Sequence, residues 1–251
     1  MQQKSLKKNS ILNVIKTLSS IIFPLITFPY ISRVLLPTNV GKVNFGSSFI
    51  SYFSMMASLG ITTYAIRECS AVSNDKEKLG KKSSEIFSIN VCTTIVAYLL
   101  LAIALMTFRK LDVYRTLIII QSTSILFTTL GTDWLNTAME DFKYITIRTV
   151  LFQVLSLILM FVFVREETDY LKYAAISVFS ASGANIANIF YRKRFCKVTF
   201  TFDMQWKRHF KPILLLFVMI LAQTIFSSAD VTMLGIMRSD YEVGIYSTAH
   251  E

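Results

Sequence analysis

Seven long apolar stretches, separated by short charged connectors, fill almost all of this chain. They decide its solvent before any fold is considered. A run of roughly 20 apolar residues crosses the hydrocarbon core of a bilayer as a helix, because a chain in lipid must satisfy its backbone hydrogen bonds internally. The stretches predict spans at about 11–33, 43–66, 84–108, 116–137, 144–164, 170–191 and 212–237, with ends soft by about two to four residues. A soluble helical protein is the competing reading. Its core helices would carry a polar face, and most of these stretches do not.

Composition supports the lipid reading. Hydrophobic residues make up 53% of the chain and charged residues 17%, against about 25% charged in a soluble domain. The net charge of +10 would suit nucleic acid, but the cations sit between apolar spans and not on one soluble face. The positive-inside rule therefore reads them. The N-terminus (Lys4, Lys7, Lys8) and the even-numbered connectors (Arg67, Lys76, Lys78, Lys81, Lys82, Lys143, Arg148, Arg192, Lys193, Arg194, Lys197, Lys207, Arg208, Lys211) hold about twice the cations of the odd-numbered connectors (Arg33, Lys42, Arg109, Lys110, Arg115, Arg165, Lys172, Arg238). A cytoplasmic N-terminus follows, with no nucleic-acid partner. Cys69, Cys92 and Cys196 lack paired spacing, so disulfides are not expected. His209 and His250 lie apart in sequence from any ligand-like cluster, so neither a metal site nor a cofactor is implied. The first stretch is too long for a signal peptide and is followed by further spans.

Several spans carry a narrow stripe of small polar residues within an otherwise apolar surface. In span two, Ser47, Ser51, Ser54, Ser58 and Thr62 share a side; close helix packing is the favoured reading and a wet cavity the alternative. In span four, Gln121, Ser124, Thr128, Thr132 and Asn136 are larger than packing requires and suggest a water-accessible face. Thr149, Gln153 and Ser156 in span five, Ser177, Ala181, Ala184 and Asn188 in span six, and Gln223, Ser227 and Asp230 in span seven continue the theme. Helices with one polar side each can surround a shared hydrophilic interior. Span one contains Pro24 and Pro29, with Pro37 just beyond, which reads either as a bending helix or as a static kink.

The connector 192–211 is the most charged segment and divides the chain. It separates an N-terminal six-helix lobe, 1–191, from the start of a second lobe, 212–251. An internal echo agrees: the end of span one, Arg33 to Val43, and the end of span seven, Met233 to Tyr246, both pass from an apolar helix through a short polar turn into a new helix containing Val and Gly. Six helices between equivalent starts predict parallel repeats related by an axis along the membrane normal. The expected fold is all-α, a polytopic transmembrane helical bundle of six helices plus a seventh, in effect a truncated six-plus-six transporter.

Four segments carry a family resemblance. The first is Phe28-Pro29-Tyr30-Ile31-Ser32-Arg33-Val34-Leu35 followed by Gly41. The second runs from Leu59-Gly60-Ile61 to Tyr64-Ala65-Ile66-Arg67-Glu68. The third joins Asp133-Trp134-Leu135, Glu140-Asp141-Phe142-Lys143-Tyr144-Ile145 and Arg148. The last passes from Asp230 through Leu234-Gly235 to Gly244-Ile245-Tyr246. In order and spacing they resemble the Wzx-type polysaccharide flippases of the multidrug/oligosaccharidyl-lipid/polysaccharide exporter superfamily. The resemblance covers essentially the whole chain, except that the family has a second lobe this sequence all but lacks. It implies a multi-pass protein of the bacterial inner membrane. Such a protein moves undecaprenyl-pyrophosphate-linked oligosaccharide repeat units across by alternating access, for O-antigen, capsule or a related surface polysaccharide. Membrane lipids, a coupling ion (H+ or Na+) and the polysaccharide polymerase machinery are the other implied partners.

Chemistry then selects residues. An anionic pyrophosphate wants a hydrated, partly cationic cavity, and arginine grips phosphate oxygens with a fork of donors. Arg33, Arg67 and Arg148, with the polar Gln121 and Asn136, are the headgroup candidates. For each arginine the structural alternative is a side chain that snorkels to the lipid headgroups. Asp133, Glu140 and Asp230 are the ion-coupling or gating candidates, the alternative being structural pairing. The competing functions are a drug or metabolite extruder of the same superfamily, an integral-membrane enzyme and a non-transporting remnant. The enzyme is disfavoured because no nucleophile with a partnered base appears. As a truncated half, the chain alone is not expected to flip lipid.

Overall fold

The computed structural model describes residues 6–250, with side chains from Ser10 to Ser247. Lys4, and the side chains of Lys7, Lys8 and His250, lie outside the described residues. Among the described residues the chain forms nine α-helices and no strand. They are α1 (Leu6–Ser58), α2 (Ile61–Ser70), α3 (Lys76–Thr107), α4 (Arg115–Gly131), α5 (Trp134–Ala138), α6 (Phe142–Phe163), α7 (Tyr170–Tyr191), α8 (Trp206–Met237) and α9 (Asp240–His250). The all-α polytopic bundle expected from the sequence is the architecture observed.

The spans differ from expectation in instructive ways. Five helical stretches among the described residues are long and apolar enough to cross a membrane, and the first, Ser10–Ser70, covers 61 residues. It contains the first two expected spans, folded about a corner at Leu36 (φ 61°, ψ 161°). The residue before a proline is driven out of the α region, so Pro37 places the corner, and a leucine held at positive φ stores strain of about 1–3 kcal/mol. Span two is itself interrupted at Gly60 (φ 77°), where α2 begins. Span four breaks at Thr132 (φ 48°), and α5 follows as a separate short helix. The expected sixth span, α7, has the length but is not among the five, and it buries Ser182, Asn185 and Asn188.

Polarity is distributed for lipid. On α3, Val96, Leu99 and Ile103 face outward; so do Leu151, Val154 and Ile158 on α6, and Leu215, Val218 and Met219 on α8. Ser83, Asn90, Thr94, Thr129, Asn136 and Asn188 are buried instead. Lipid tails are as apolar as these side chains, so helix association rests on close packing and interhelical hydrogen bonds and not on burial of oil.

Close backbone approaches and interhelical hydrogen bonds fix how α8 and α9 meet α1 and the segment just before α4. The two turns that echo each other in sequence touch in space. A Cβ on Gly41 would overlap the backbone of Asp240 and Gly244, and one on Gly244 would overlap the backbone of Pro37. Only glycines permit backbones this close. Around this seam Tyr114 donates to Asp240 and Lys110 to the Ile236 carbonyl, while Asn44 donates to Ser247 Oγ (2.7 Å). Nearer mid-bundle, Ser48 Oγ donates to the Ser228 carbonyl (2.8 Å) and meets Thr232 Oγ1 (2.8 Å).

The connector after α7 folds back on α3. The Thr199 and Thr201 amides donate to Ser84 and Ser88 Oγ (3.1 and 2.8 Å), and Cys196 and Met204 join the apolar cluster of Tyr64, Leu79, Trp134 and Ile213. Cys69, Cys92 and Cys196 are free thiols.

Candidate functional site

A cavity of about 450 Å³ opens between α1, α2, α3, α4, α6 and α7. Hydroxyl and amide side chains are interleaved there with Ala57, Ile125, Trp134, Ala181 and Ala184. α1 contributes Ser54 and Ser58, α2 Thr62, α3 Asn90, α4 Thr128 and Thr129, α6 Thr149 and α7 Ser180 and Asn185. Three charged groups border it, Lys16, Asp133 and Arg148. Its volume is in the range of small-ligand pockets, about 300–1,000 Å³.

The helix break at 132–133 builds the charged wall. Thr132 ends α4 in the left-handed region, leaving carbonyls of its last turn without helical partners. Asn188 Nδ2 donates to the Gly131 carbonyl (2.5 Å), and Arg192 Nη1 to the Leu130 carbonyl (2.9 Å) and Thr132 Oγ1 (3.1 Å). The break thereby presents Asp133 to the cavity. Arg148 Nη2 donates to Asp133 Oδ1 (2.5 Å), and Asn136 Nδ2 to the same oxygen (3.1 Å). The arginine side chain is 6% exposed and the aspartate 37%. The guanidinium lies 5.3 Å from the Tyr144 ring centre, and its Nε has no hydrogen-bond partner among the described residues.

The sequence candidates separate. Arg148 and Asp133 come together in the cavity wall. Asn136 is fully buried behind them, with its Nδ2 also donating to Asn188 Oδ1 (2.7 Å). Gln121 does not face water: it is buried against Gly46 and donates to the Val43 carbonyl (3.0 Å) and Ser47 Oγ (2.9 Å). So the expected wet face of span four narrows to Thr128 and its neighbours, while the small-polar stripe of span two divides. Ser47 and Ser51 pack against other helices, and Ser54, Ser58 and Thr62 line the cavity. Arg33 is exposed near the Leu36 corner. Arg67 is exposed on α2, 3.8 Å from Glu68. Glu140 is exposed in the turn between α5 and α6 (φ 53°). Asp230 accepts from the Tyr246 hydroxyl, joining α8 to α9, and Gln223 and Ser227 on its expected face are exposed. None of Arg33, Arg67, Gln121, Asn136, Glu140 and Asp230 lines the cavity.

Two features are absent from the sequence expectations. Lys16 is one; a lone cation inside an apolar span is the signal that finds it. The other is a buried cluster where α8 meets α2 and α3. His209 Nδ1 lies 2.7 Å from the Tyr64 hydroxyl and its Nε2 lies 3.2 Å from Glu85 Oε2, with the imidazole fully buried and the carboxylate 4% exposed. Glu85, a lone carboxylate at the start of a span, is the signal in the sequence, since an apolar setting demands a partner for it. Glu85 also borders a second cleft, of about 410 Å³, with Lys76, Lys81 and Lys197.

A polar, net-cationic cavity inside an outwardly apolar bundle is the setting in which the comparisons with known proteins fall. A family model described as "Polysaccharide biosynthesis protein" matches residues 6–251. The chain belongs to that family. A curated relative from Escherichia coli (strain K12), named "Putative O-antigen transporter", is 25% identical over 257 aligned residues, which cover 98% of this chain and 60% of the relative. The chain thus spans about three-fifths of that relative's length. No solved structure matches it.

Proposed function

We propose that this chain acts in a flippase that carries undecaprenyl-pyrophosphate-linked oligosaccharide across the bacterial inner membrane by alternating access. It would serve O-antigen, capsule or a related surface polysaccharide. The observation that carries the reading is the cavity: hydroxyls and amides suited to a sugar, with Lys16 and Arg148 against a single carboxylate, Asp133. A cation inside a bilayer is expensive, so it marks a path for an anion. The apolar tail of the cargo needs no protein path and stays in lipid. The relative's printed name supports transport of O-antigen, and the polar cavity supplies binding groups without a catalytic constellation. In this reading the N-terminus is cytoplasmic, residues 1–191 form the first lobe, 192–211 the linker and 212–251 the opening of the second. Coupling to H+ or Na+, and hand-over to the polymerase machinery, belong to the same proposal.

The test is binding by the chain in nanodiscs, with the lipid-linked oligosaccharide set against cationic drugs. The lipid-linked sugar should bind, and Arg148→Ala or Lys16→Ala should each weaken it by about tenfold, the scale of one charge-assisted hydrogen bond. Binding of the drugs with indifference to the lipid-linked sugar would replace the flippase with the extruder reading.

A further inference from the structure

We propose that Asp133 is a built-in stand-in for the cargo's anionic headgroup. It occupies Arg148 while the cavity is empty, yields it when a diphosphate enters and reclaims it to expel the cargo. This rests on the reading of the cavity as the headgroup site.

Three observations carry it. The first is accessibility. The Asp133 side chain is 37% exposed and Arg148 6%, and both border the cavity, so an anion entering it meets a guanidinium already engaged by the carboxylate. The second is the donor set. Arg148 Nη2 and Asn136 Nδ2 converge on one oxygen of Asp133, and Arg148 Nε is buried and unpartnered among the described residues. Arginine takes carboxylate and phosphate through the same planar fork, so this cradle suits a phosphate oxygen and has a donor to spare. The third is the placement of Asp133 at the break between α4 and α5, after Thr132 at φ 48°. A side chain at a break can swing without unwinding a helix.

The physical need is plain. A buried guanidinium left without an anion is strongly unfavourable, so the empty cavity requires a counter-charge. A counter-charge tethered to the chain competes at high effective concentration, so it also limits how long the cargo stays. A diphosphate carries more charge than one carboxylate and wins the exchange on entry. Asp133 is in this sense a positioning residue: it acts on the cargo through Arg148.

The experiment measures equilibrium binding and dissociation of a short-chain isoprenyl diphosphate on the chain in nanodiscs, for wild type, Asp133→Asn and Asp133→Asn with Arg148→Ala. Asparagine keeps the shape and the acceptor for Asn136 while removing the charge that holds Arg148. Asp133→Asn should bind the probe about tenfold tighter and release it more slowly, and the added Arg148→Ala should abolish the gain. Asp133→Ser, shorter and also neutral, should follow the same order. A role confined to holding Arg148 in place predicts weaker binding in both neutral variants. Wild-type binding with no gain, or with a loss, in Asp133→Asn overturns the inference alone. Failure of every variant to bind overturns the headgroup reading as well.

Discussion

Replacing His209 with alanine should detach the start of α8 from the bundle. The imidazole is fully buried and bridges Tyr64 (2.7 Å) and Glu85 (3.2 Å), so its removal strands a phenol and a carboxylate that is only 4% exposed. A buried polar group left unpaired costs about 1–3 kcal/mol, and more when it is charged. The expected loss is therefore about 1–3 kcal/mol for each stranded group, together a large fraction of a typical stability. Thermal unfolding of the chain in detergent reads the loss. Trypsin cleavage at Lys197, in the connector pinned to α3, reads local detachment. The decisive measurement is a double-mutant cycle with Glu85→Leu, which removes the stranded charge. The double variant should be no less stable than His209→Ala, giving a coupling of more than about 1 kcal/mol. Additive losses would refute the claim that these two side chains stabilise α8 through each other.

Gly41→Val should part the seam between α1 and α9, because its side chain would overlap the Asp240 and Gly244 backbone; spin labels at Thr38 and Tyr241 should report a longer distance, and an unchanged distance would show that the seam tolerates bulk. Single cysteines at Ser54 and Thr128 should react with an aqueous maleimide, while cysteines at Gln121 and Asn136 should not, since only the first two line the cavity. In the connector before α7, Asp169 is held down to about 2 by Lys172 and by the Arg165 and Glu166 amides. A carboxylate depressed from its ordinary value near 3.8 stabilises the fold above that value and loses the contribution as pH falls towards 2. Protection of the Arg165 and Glu166 amides, taken relative to their intrinsic exchange rates, should fall over that window in wild type and change little in Asp169→Asn.

The candidate site was legible in part, and the reasons are particular. Arg148 and Asp133 stood out because ionisable groups in or beside an apolar span need a partner or a purpose. Lys16 met the same criterion but lay in the apolar stretch that defined span one. Gln121 and Asn136 share a helical face with Thr128, yet they are sealed and Thr128 is not. Which part of a face meets water depends on where Gly46 lets α1 approach and where Thr132 ends α4, neither of which helical periodicity contains. His209 looked solitary because Glu85 lies 124 positions away.

The sequence by itself determined the solvent, the helical class and the rough positions of the spans. Hydropathy accumulates residue by residue along the chain, and a backbone in lipid has few ways to satisfy its own hydrogen bonds. Only the tertiary structure decided which polar groups share a cavity, that Asp133 closes on Arg148 and that His209 ties α8 to α2 and α3. Those are contacts between distant segments, and they follow from helix breaks and close approaches that only the packed bundle fixes.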